Sequence, residues 1–128
     1  MEQKYIVGDL VRYTSLYKEP VAEICEVRET SYLIRFMNGN FAKVTSKEIK
    51  PIPLTKEILK KNGWKKSKIN DCAYFYYKDG LFLTYTSKDD KFWFDDFDYS
   101  SCICVELPYV HSLQHLLFGL GINHEMEV

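Results

Sequence analysis

The 128-residue chain carries 17 Lys and Arg against 18 Asp and Glu, a formal charge of −1, so no global field draws it to nucleic acid or anionic membrane. A hydrophobic fraction of 46% excludes wholesale disorder, and 16% aromatic residues, with ten Tyr, favour sheets and contact surfaces. No apolar run is long enough to span a bilayer, and Met1-Glu-Gln-Lys-Tyr5 lacks the apolar core of a secretion signal, so a cytoplasmic protein without a membrane partner is expected.

From Tyr5 to Ile52 the pattern is β throughout. Ile6 to Tyr13 opens with a Gly8-Asp9 turn and then alternates, with Leu10 on one face and Val11 and Tyr13 on the other. Pro20 to Arg28 is a second strand with Val21 and Ile24 as core candidates; its imperfect alternation predicts a bulge or bend. In the third strand, Tyr32 to Met37, Leu33, Arg35 and Met37 oppose Tyr32, Ile34 and Phe36. Asn38-Gly39 supplies positive-φ residues for a tight hairpin into Asn40 to Val44. Ser46 to Ile49 predicts one helical turn, and Lys50-Pro-Ile-Pro53 closes the segment as extended chain. Five short strands within residues 1–53 resemble a small SH3-like barrel of the Tudor or KOW kind, which implies a binding or bracing module and fixes no activity.

Residues 54–128 read as an α+β unit, so the expected fold class is α+β. A helix over about 55–62 has Thr55 as N-cap, Leu54 and Leu59 as a hydrophobic staple, Gly63 at the left-handed C′ position and Trp64 behind it. Lys65 to Asp71 reads as a polar connector. Strands follow over about 72–77, 81–86, 91–94 and 101–107, a four-stranded antiparallel sheet with a glycine turn at Lys78-Asp-Gly80 and an acidic loop at Asp95 to Ser101. The last element is a helix over about 108–120, with Pro108 in its first turn. Its apolar stripe is Tyr109, Val110, Leu113, Leu116, Leu117 and Leu120, expected to lie on Ile103, Val105 and Leu107. His111, His115 and Phe118 then fall together on the opposite, solvent side.

Two imidazoles and a phenyl ring on a wet helix face point to a protein contact, with Gln114 beside them, made either with a partner or with a second copy of the chain. The His111/His115 spacing of i, i+4 also suits zinc. However, Ser112 stands where a zinc protease has glutamate, and neither His124 nor an acid is fixed as a further ligand. A set built from Cys72, Cys102 and Cys104 has the wrong spacings, so the four cysteines are expected to be reduced and packed. The acidic loop lacks the glycine and distal glutamate of a calcium loop. No cofactor or small-molecule substrate is therefore expected, and a metal-dependent activity at the His111/His115 pair is the least favoured reading. With neither a G-x-S-x-G elbow nor a phosphate-cradling loop, the chain reads as a non-enzymatic binding or adaptor protein. The alternative is nucleic-acid binding through the one concentrated basic segment, Lys56 to Lys68, with Lys60, Lys61, Lys65 and Lys66 around Trp64.

Two stretches carry a further resemblance: Lys50-Pro-Ile-Pro-Leu-Thr-Lys-Glu-Ile-Leu-Lys-Lys-Asn-Gly-Trp64 and Tyr109-Val-His-Ser-Leu-Gln114. In them the chain resembles a family of uncharacterised small proteins from Bacteroides-type gut bacteria and their phages. That resemblance implies the two-part architecture and brings no activity with it.

Overall fold

The computed structural model describes residues 5–95 and 104–128. The fold is α+β, with two five-stranded antiparallel sheets and two α-helices, one of them C-terminal. Among the described residues no helix is long and apolar enough to cross a membrane. By Cα proximity the chain divides into a first unit, Met1–Pro53 with Tyr109–Met126, and a second, Leu54–Pro108 with Glu127–Val128.

In the first unit, strands β1 (Leu10–Tyr13), β2 (Val21–Val27), β3 (Tyr32–Phe36), β4 (Phe41–Val44) and β5 (Ile49–Pro51) pair in the order β4-β3-β2-β1-β5. A 3₁₀ turn, Ser46–Glu48, joins β4 to β5, and Glu48 Oε1 accepts from the Thr45 N–H at 3.0 Å. No pairing joins β4 to β5 among the described residues, so the sheet is not a closed barrel. The expected bulge in β2 is present as a register shift between Ile24 and Glu26. The β3–β4 hairpin also forms, but only Gly39 has positive φ (89°); Asn38 instead accepts from the Asn40 N–H at 3.0 Å, and Phe36 N–H donates to Asn40. The hairpin is thus a three-residue loop with the left-handed residue last, not a two-residue turn.

The core of this sheet is Tyr5, Val11, Ala22, Ile24, Ile34, Val44 and Ile49, with Tyr13, Tyr32, Phe36 and Ala42 packed around it. Ala22, not Val21, takes the buried position on β2 beside Ile24. Leu10 is buried as well as Val11, although they point to opposite faces of β1. Both faces of β1 are therefore covered, and helix α2 (Val110–Gly119) packs on this strand. This differs from the expectation that the C-terminal helix belongs with residues 54–108. A buried amide side chain on α2 bonds the backbone at the start of β1, which ties the helix to the first sheet. Ile103, part of the expected floor, lies outside the described residues, and Val105 is exposed. Pro108 precedes the helix, whose N-cap is Tyr109.

The second unit begins with α1 (Lys56–Lys61), formed as its residues predict. Thr55 Oγ1 accepts from the Ile58 N–H at 3.2 Å, Gly63 has φ of 85°, and the N–H groups of Trp64 and Gly63 donate to Leu59 and Lys60. These are the two bonds of a Schellman ending, and Leu54, Leu59 and Trp64 are all buried. The C-terminal residues close on the same helix: Asn62 donates to the Glu127 carbonyl and accepts from its N–H, each at 2.7 Å.

The sheet here has the order β10-β9-β8-β7-β6, from β6 (Lys65–Asn70), β7 (Ala73–Lys78), β8 (Leu81–Thr86), β9 (Lys91–Asp95) and β10 (Cys104–Glu106). The extra strand is β6, expected as a connector. All six of its residues are exposed, so it has no apolar alternation to read; its backbone is satisfied by pairing with β7. Asp79 (φ 51°) and Gly80 (φ 79°) both take positive φ, as a two-residue hairpin requires. The inner face of this sheet holds Tyr76, Leu83, Tyr85 and Phe92. Asp96, Asp98, Cys102 and Ile103 lie outside the described residues.

Candidate binding site

Asp9 is the least ordinary residue of the first unit, because it is a carboxylate with no exposure at all. Its Oδ2 accepts from the Ile6 N–H at 2.9 Å, which closes the turn ahead of β1, and lies 2.7 Å from His115 Nε2. Its Oδ1 is buried without a hydrogen-bond partner among the described residues. Gly8, at the same turn, has φ of 97° and is approached closely by the His124 ring: a Cβ there would lie 3.0 Å from Nε2.

Gln114 reads the backbone of this turn. Its Oε1 accepts from the Leu10 N–H at 3.0 Å, and its Nε2 donates to the Gly8 carbonyl at 2.8 Å and to the His124 carbonyl at 3.1 Å. One fully buried side chain therefore joins α2, the start of β1 and the C-terminal segment. A terminal amide can do this because it carries both a strong acceptor and two donors.

His111 is also inside, only 7% exposed, against the expectation of a solvent face. It stacks on Tyr109 (5.5 Å between centroids, planes 7° apart) and packs against Tyr5 at 5.1 Å and His115 at 5.5 Å. The buried arc of α2 is Val110, His111, Leu113, Gln114 and Leu117, which leaves Leu120 exposed. Burial pushes the His111 pKa down; neighbouring Asp9 opposes this and His115 adds to it. Its Nδ1 has no hydrogen-bond partner among the described residues. Burial likewise raises the Tyr5 hydroxyl to about 12, with Tyr32, Asp9 and Tyr109 pushing the same way.

Of the four residues expected to form a contact face, His111 and Gln114 are thus internal and His115 is half-buried; Phe118 alone is well exposed, at 60%. Phe118 meets the His124 ring edge-on at 5.2 Å and borders a groove of about 810 Å³ in the first unit. Val7, Leu10, Met37, Gln114 and His124 also line it, and the Glu23–Arg35 ion pair (2.7 Å) lies at its polar side. Val7 and Met37 were not singled out by sequence, since lone apolar residues beside turns are ordinary.

The basic segment is dispersed by the fold. Trp64 is buried, which removes it as a stacking surface. Lys61 Nζ donates to the Val128 carbonyl, Lys56 sits over Tyr85 and Lys66 over Tyr74, while Lys60 and Lys65 are exposed. Among the described residues no group of three His, Cys, Asp or Glu side chains could hold a metal ion. Cys25 is partly buried and Cys72 exposed, so the two described thiols are not core residues as expected. No protein-family model, curated protein or solved structure matches the chain.

Proposed function

We propose that the protein is a non-enzymatic adaptor that binds a protein partner through the groove of its first unit. The observation that carries this reading is the exposure of three large apolar side chains, Val7, Met37 and Phe118, around a single groove of about 810 Å³. Clustered apolar exposure rimmed by polar groups marks interaction surfaces on soluble domains. The floor is rigid, because Gln114 bonds three backbone groups beneath it, and the Glu23–Arg35 pair supplies a polar margin that can fix the direction of a bound segment. The fitting partner is an extended segment that offers one or two apolar side chains.

The strand order of the first unit, β4-β3-β2-β1-β5, and the 3₁₀ turn between the last two strands are compatible with an SH3-like assignment, an architecture that fixes no activity by itself, so the reading rests on the groove. The test is affinity capture with wild type, Phe118→Asp and Met37→Asp, combined with light scattering on each. A partner, or a dimer, that is lost in both variants is the expected result. Retention of every partner and an unchanged oligomeric state would overturn the reading.

A further inference from the structure

The loop between β1 and β2, residues 14–20, holds an apolar pair out in solvent. Tyr17 is 93% and Leu16 53% exposed, and Ser15 and Lys18 on either side are exposed as well. An exposed apolar residue is ordinary, but this backbone is not. Lys18 (φ 73°) and Glu19 (φ 43°) are consecutive non-glycine residues in the left-handed region, and Glu19 precedes Pro20, a position that favours extended chain. Such strain persists only where surrounding contacts over-determine it, and it gathers at binding sites. Here those contacts lie at the base of the loop. The Glu19 N–H donates to the Leu16 carbonyl and Arg12 Nη1 to the Glu19 carbonyl, each at 3.1 Å, and the Glu19 carboxylate pairs with Lys50. Thr14 donates to the Glu48 carbonyl through its N–H at 2.8 Å and its hydroxyl at 3.0 Å. The base is fixed and the two apolar side chains are displayed.

The groove of the first unit suits what this loop offers, an apolar pair on a projecting segment. None of Ser15 to Lys18 lines the groove of its own chain, so the contact joins two chains. Charge matches as well. Lys18 has no ion-pair partner among the described residues, and neither has Glu125, which lines the groove. The other groove charges, Glu23 and Arg35, neutralise each other, so the lining is net negative, counting His124 as neutral. Around the loop, Arg12, Lys18 and Lys50 stand against Glu19, and Glu48 is turned back onto Thr45, which leaves a positive rim. Complementary rims of this kind orient an encounter. One aromatic ring buries about 150–250 Å², well short of the roughly 1,200 Å² of a stable interface, so association is weak and concentration-dependent.

We infer that copies of this chain associate head to tail, with Leu16 and Tyr17 of one protomer in the groove of the next beside Phe118, and Lys18 against Glu125. This rests on the groove reading above and names a second copy of the chain as its occupant.

The experiment is sedimentation velocity of the full chain from about 10 μM to about 1 mM, the range in which so small a contact forms. The average mass of the wild type is expected to rise with concentration. Tyr17→Asp removes the loop and Phe118→Asp the groove, and each should stay monomeric throughout with wild-type circular dichroism. An equimolar mixture of the two variants should give a dimer and nothing larger, because one loop and one groove remain intact between them. Lys18→Gln should weaken association about two- to fivefold, the share of an exposed ion pair. Lys18→Glu combined with Glu125→Lys in one chain should recover it. A wild type that is monomeric at the highest concentration, or a mixture of the two variants that stays monomeric, would overturn the inference. Association lost in Phe118→Asp but kept in Tyr17→Asp would overturn it too, while leaving the groove as the binding site. Association and partner capture both indifferent to Phe118→Asp would remove the groove reading with it.

Discussion

His115 Nε2 lies 2.7 Å from Oδ2 of Asp9, a carboxylate that is fully buried, while the His115 side chain is 36% exposed. The pair joins α2 to the turn ahead of β1, so the helix is positioned on the first sheet by a polar contact as well as by Val110, Leu113 and Leu117. The same Oδ2 accepts from the Ile6 N–H, so the carboxylate holds both the turn and the helix. Asp9→Ala should therefore destabilise the protein by about 1–3 kcal/mol, the cost of leaving a buried donor unmatched. Denaturant unfolding measures this. A loss no larger than that of an exposed control such as Asp89→Ala would show that the pair contributes nothing.

Gln114 is the second attachment and the stronger one. Gln114→Leu keeps the approximate volume but orphans the Leu10 N–H and the carbonyls of Gly8 and His124, all beneath a buried side chain. Unmet buried donors and acceptors cost about 1–3 kcal/mol each, and the N–H has less chance of finding water than the carbonyls. A fall of about 2–4 kcal/mol in unfolding free energy is expected from these losses. Hydrogen exchange should report it locally, with the Leu10 amide losing protection before the core strands do.

Gly8 offers a sharper steric test. Its φ of 97° is strained for any other residue, and a Cβ would come within 3.0 Å of the His124 ring. Gly8→Ala should cost about 1–3 kcal/mol in backbone strain and push His124 away from Phe118, its edge-on neighbour at 5.2 Å. An unchanged melting temperature together with an unchanged His124 ring resonance would contradict this.

The parts of the chain that sequence made legible are those with local rules. Thr55, Gly63 and Trp64 each act through groups within a few residues, so α1 is readable from its own segment. Strand β6 was not, because Lys65 to Asn70 bury nothing and their only strand signal is a partner that lies beyond the connector. The C-terminal helix shows where a wheel projection stops: it gives the angle of a side chain, not the height of what stands opposite. Tyr5, far away in sequence, and Tyr109 at the N-cap extend the covered arc over His111, and Gln114 turns inward because three backbone groups wait for it. Asp9 was legible as a turn residue and not as a buried acid, since its second partner is 106 positions away.

The burial of His111 makes stability depend on pH. Its pKa is lowered in the folded state, first by desolvation, so the folded protein holds this imidazole neutral over a range where the unfolded chain, titrating near 6.5, would bind a proton. Stability rises with pH wherever the unfolded state binds more protons. The contribution of His111 is therefore full above about pH 6.5 and is lost as the pH falls below that value toward the lower folded one. Asp9 favours the charged form and limits the size of the effect, and the charge of His115 enlarges it. Unfolding free energies measured between about pH 5 and pH 8 should fall on the acid side in wild type, with a shallower slope in His111→Phe, a ring that can still stack on Tyr109 but takes up no proton. Equal slopes in the two proteins would place the acid sensitivity elsewhere than His111.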